Sequence, residues 1–159
     1  MSKQSDYTPE EWKAIAAAPM LAGLVVSVSD LSGPVGTLKE AFAIAKGVAE
    51  TATSTSAELI QILAEGMKTW GGRPDVPELP KDQEGARSAL INSCKQAVDV
   101  VAQKSPAEAE EYKRWLVVLA QKTAEAAKEG GFLGIGGTRV SEAESTALKD
   151  LATALGVSV

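Results

Sequence analysis

The side chains in this sequence that could do chemistry are mostly carboxylates. Asp30, Glu40, Glu129, Glu142 and Glu144 stand at the ends of two loops, where pairing of the flanking helices would bring them together. Oxygen-only ligands suit Ca²⁺, Mg²⁺ or Mn²⁺, which accept carboxylates and backbone carbonyls without nitrogen or sulfur. Asp30, Glu129 and Glu142 are the candidate ligands, because Glu40 and Glu144 are better explained as helix-capping residues. No EF-hand spacing supports the site, and no cofactor other than such a cation is expected. Histidine is absent, which removes Ser-His-Asp and Cys-His nucleophiles, His-ligated zinc and imidazole acid/base catalysis together. The single cysteine, Cys94, falls between Ile91 and Val98 on an apolar helical stripe, where a thiol is structural rather than reactive. No carboxylate pair is singled out by spacing for acid/base work, so an enzyme ranks below a binding module.

A second motif is the glycine-rich segment from Gly130 to Arg139, which contains Phe132, Leu133, Gly134, Ile135, Gly136 and Gly137. Its glycines resemble a phosphate cradle, but Gly137 stands where a P-loop needs lysine, and the segment follows a helix rather than a strand. Solvated loops are normally polar, so Phe132, Leu133 and Ile135 require another explanation. Packing back over the bundle is the favoured reading, since monomers seldom leave large apolar patches bare. The alternative is an exposed patch that docks a protein partner, a second copy of the chain or a membrane surface.

Charge narrows the partners. The chain carries 16 Lys and Arg against 21 Asp and Glu, a net −5, and no basic cluster of the kind that neutralises phosphates; nucleic-acid binding is not expected. The most apolar stretch, Ala14 to Val28, is preceded by Asp6, Glu10 and Glu11 where a signal peptide needs basic residues, and Pro19 interrupts it. It is also shorter than the roughly 20 residues of a membrane span, so a buried core helix is expected, without stable membrane insertion. With one cysteine and no leader-like segment, a cytoplasmic location is expected.

The elements that would position these residues are helices. Five capping boxes of the form Ser/Thr-x-x-Glu mark helix starts: Thr8 with Glu11, Thr37 with Glu40, Thr55 with Glu58, Ser105 with Glu108, and Ser141 with Glu144. Pro9 and Pro106 follow their caps at the first helical position, and Asp82 is a sixth candidate cap. Apolar residues recur at helical spacing, as in Leu59, Ile62, Leu63 and Met67, or Tyr112, Trp115, Leu116 and Leu119. Helices are predicted near 8–18, 20–30, 37–52, 56–69, 83–104, 106–128 and 142–155. The 159 residues fit one all-α domain, a compact bundle of about seven helices, with 1–7 flexible and 70–81 a Pro/Gly-rich connector between halves.

The halves echo each other. Leu21 to Asp30, a Gly-Pro turn and the helix from Thr37 match the helix to Glu129, the glycine segment and the helix from Ser141. Ala124 to Gly130 followed by Ser141 to Gly156 resembles the TerB-like domains of bacterial tellurite-resistance and stress proteins. The run from Gly130 to Gly137 is also similar to a bacterial family that brings no activity with it. The TerB-like resemblance implies an all-helical fold of two repeated halves and acidic metal-binding loops. Here both loops are longer than that pattern, which separates Asp30 from Glu40 and Glu129 from Glu144. The expected function is therefore a non-catalytic helical protein-interaction module, self-association included, possible in a stress setting; the alternative is a carboxylate metal-binding domain.

Overall fold

The computed structural model describes residues 3–29, 57–69, 78–129 and 140–158, and among these there are helices and no strand. The first α-helix, α1, runs from Pro9 to Ser27. Its start is a complete capping box: Thr8 Oγ1 accepts from Glu11 N at 3.2 Å, and Thr8 N donates to Glu11 Oε2 at 2.8 Å. Pro9 follows the cap, where its missing N–H costs nothing.

The predicted break between helices 8–18 and 20–30 does not occur, and α1 passes straight through Pro19. Proline inside a helix deprives the carbonyl four residues earlier of its donor, a loss normally large enough to end the helix. Here the deprived carbonyl is that of Ile15, and the phenol of Tyr112 donates to it at 2.8 Å in the buried interior. A donor from 97 positions away thus replaces the local one. Every residue from Ala17 to Val26 is buried, so this part of α1 is apolar on all sides and lies inside the bundle. Among the described residues, no helix is long and apolar enough to cross a membrane.

Four more α-helices follow: α2 Glu58–Thr69, α3 Gln83–Lys104, α4 Pro106–Glu129 and α5 Glu142–Leu155. The predicted helix 37–52 and the connector residues 70–77 lie outside the described residues. Asp82 caps α3, its carboxylate accepting from Gly85 N at 2.6 Å. Gly85 is required there, because a Cβ would stand 2.6 Å from Asp82 Oδ2 and 2.9 Å from the Pro80 Cβ. The end of α5 uses the left-handed conformation of Gly156, φ 69°, with Val157 N donating to Ala152 O and Gly156 N to Thr153 O. Ahead of α1, where the sequence predicts flexibility, Gln4–Asp6 form a 3₁₀ turn and the Tyr7 ring is buried beside Trp12, centroids 5.7 Å apart.

Helices α1, α3, α4 and α5 each pack against the other three. The amphipathic stripes of α3 (Leu90, Cys94, Val98, Val101) and α4 (Tyr112, Leu116, Leu119) are buried in one continuous core with Leu24, Val25 and Leu151. Small side chains, Ala17, Ala18, Ala22, Ala97 and Ala120 among them, fill the core where helices approach closely. Helix α2 buries Leu59, Ile60, Leu63 and Met67 in the same core.

Candidate functional site

The backbone of α1 is the most chemically occupied part of the interior. Besides Tyr112 on the Ile15 carbonyl, the thiol of Cys94 in α3 points at the Ala18 carbonyl with Sγ 3.8 Å away. Toward the end of α1, Ser29 Oγ donates to Val25 O at 2.8 Å, and Gln83 Nε2, at the start of α3, donates to Val28 O at 2.8 Å. The terminal carbonyls of a helix have no intrahelical partner, and Gln83 supplies one across the bundle. Side chains from α3 and α4 therefore hold α1 by its carbonyls as well as by apolar contact.

Burial decides what Cys94 and Tyr112 can do. Desolvation pushes the Cys94 thiol up to about 12 and lifts the Tyr112 phenol well above its ordinary range, with lesser pushes on Tyr112 from Cys94 and Tyr7. Both groups stay protonated at neutral pH, as donors rather than nucleophiles. Trp115, with its ring 6.2 Å from that of Tyr112, has a buried Nε1 with no hydrogen-bond partner among the described residues.

Of the carboxylates proposed as metal ligands, Asp30, Glu129 and Glu142, only Glu142 has its side chain among the described residues. Asp30 and Glu40 lie outside them, and Glu129 is described only as the last residue of α4. Glu142 is exposed in the first turn of α5. Glu144 is buried at 4% exposure, its Oε2 accepting from Ser141 N at 2.8 Å while Ser141 Oγ accepts from Glu144 N at 3.2 Å. This carboxylate is held by its cap. Among the described residues no three of His, Cys, Asp and Glu are grouped to hold a metal ion.

The remaining sequence motifs distribute as follows. Thr37, Thr55 and the loop residues Phe132, Leu133, Gly134, Ile135, Gly136 and Gly137 lie outside the described residues. Glu58 opens α2. Ser105 and Glu108, expected from their spacing as a capping box, have longer-range partners: Ser105 Oγ is 2.7 Å from Tyr7 Oη, and Glu108 Oε1 accepts from Leu59 N at 3.0 Å. Sequence reasoning missed both links, and also Tyr112. The one local signal for Tyr112 was Pro19, since a proline within a buried helix demands a donor from elsewhere. On the outer side of α2, Gln61, Ile62, Glu65 and Gly66 line an open concavity. Comparison with protein-family models, with curated proteins and with solved structures finds no match to this chain.

Proposed function

We propose that this chain is a non-catalytic helical interaction module that works by docking to a protein partner or to a second copy of itself. The observation that carries this reading is the use made of Cys94 and Tyr112. The single cysteine, the residue best suited by type to act as a nucleophile, and the phenol of Tyr112 are sealed in the core, protonated, and directed at carbonyls of α1. The described surface is polar, with Val118 its one exposed large hydrophobic side chain. Docking, the alternative to packing back over the bundle, is then assigned to Phe132, Leu133 and Ile135, which the sequence puts between the end of α4 and the cap of α5.

In this reading the bundle is the holder and the glycine-rich segment the contact. Two helix-loop-helix halves, a cytoplasmic setting and the TerB-like kinship belong to the same proposal, supported by the sequence pattern from Ala124 to Gly156. Sedimentation equilibrium over a wide concentration range tests it. Concentration-dependent self-association, or retention of one defined partner at fixed stoichiometry, is the expected result. A chain that stays monomeric and binds no protein contradicts it.

A further inference from the structure

Three segments remote in sequence end on the short turn that joins α3 to α4. From the residues ahead of α1, Tyr7 Oη reaches Ser105 Oγ at 2.7 Å, with the Tyr7 ring buried. From the first turn of α1, Glu11 Oε2 meets Lys104 Nζ at 3.5 Å. From α2, Leu59 N donates to Glu108 Oε1 at 3.0 Å. Leu59 lies in the first turn of α2, where backbone N–H groups lack intrahelical acceptors, so a carboxylate there meets both a free donor and the positive end of the helix.

The turn itself has little freedom to adjust. Ser105 N donates to Val101 O at 2.7 Å, closing α3, while Glu108 N donates to Ser105 O at 2.9 Å, opening α4. Pro106 between them has a fixed φ. We infer that residues 104–108 form a clasp that couples the anchoring of residues 3–8 to the anchoring of the α2 start, so that a partner drawing on one segment loosens the other. The coupling follows from stiffness: the turn cannot shift to keep the Tyr7–Ser105 bond without moving Glu108 relative to Leu59. The Glu11–Lys104 pair, half exposed, adds little to it.

Native-state hydrogen exchange at single amides tests the clasp on the full chain. In Tyr7→Phe, exchange at the Leu59 amide accelerates several-fold, while amides in the middle of α3, such as those of Cys94 and Val98, change less. The reciprocal variant, Glu108→Ala, accelerates exchange at the Tyr7 amide, since coupling between two sites acts equally in both directions. Tyr7→Ala removes the ring as well as the hydroxyl and gives the larger response at Leu59. Unaltered Leu59 exchange in both Tyr7 variants, or an equal acceleration at every amide including those of α3, overturns the inference.

Discussion

Pro19 has no N–H to offer the Ile15 carbonyl, and the phenol of Tyr112 stands 2.8 Å from that oxygen. Removing the hydroxyl leaves a buried carbonyl without a partner, which costs about 1–3 kcal/mol. Tyr112→Phe is therefore expected to lower unfolding stability by about that amount in denaturant titrations. In a Pro19→Ala background the helix regains its own donor, and the same substitution costs markedly less. Equal losses in the two backgrounds would show that the bond does not answer to the proline. Cys94 supplies a second prediction at this scale. The folded chain keeps its thiol proton up to about 12, whereas an unfolded thiol releases it near 9.0. Stability is thus fully present below pH 9.0 and declines as pH rises toward 12, at a rate of up to about 1.4 kcal/mol per pH unit from this group. Tyr112, raised from 10.0, acts in the same direction. Cys94→Ala removes the thiol part of that alkaline slope, and thiol reagents label wild-type Cys94 only at the rate of unfolding.

Among the elements, the helix starts were legible because a capping box is a local object. Thr8 with Glu11 and Ser141 with Glu144 need only residues three apart, and both form as their spacing predicts. Ser141→Ala is expected to cost about 1 kcal/mol, read as a lowered midpoint in thermal unfolding, with Ser141→Asp restoring most of it. The continuity of α1 was not legible, because the donor that permits it comes from Tyr112 in another helix. Nor does the spacing of Ser105 and Glu108 reveal that they bind Tyr7 and α2. Stripe positions were read nearly correctly, but Leu90 and Ile60 are fully buried where the predicted stripes named Ile91 and Ile62, which are only partly covered. Ile91 is one residue from Leu90, but Ile62 is two residues from Ile60 and points away from the face made by Leu59, Ile60, Leu63 and Met67; packing against neighbouring helices decides which side is covered.

For the whole molecule, the all-helical architecture of the described residues followed from periodicity and caps, while the candidate ligands Asp30 and Glu129 lie outside the residues whose side chains are described. Glu144, read from its spacing as a helix cap and not as a ligand, is buried in that cap, and Glu142 is exposed in the adjoining turn. The interior of the bundle is instead organised around α1, whose carbonyls take donors from α3 and α4. The proposed function assigns docking to Phe132 and Leu133. Sedimentation velocity and thermal unfolding of Phe132→Ser/Leu133→Ser beside the wild type test that claim together. The account predicts a double variant that keeps its unfolding midpoint and loses the concentration-dependent association of the wild type. A double variant that loses about 2 kcal/mol or more of stability, beside a wild type that stays monomeric, would contradict it and assign both side chains to the core.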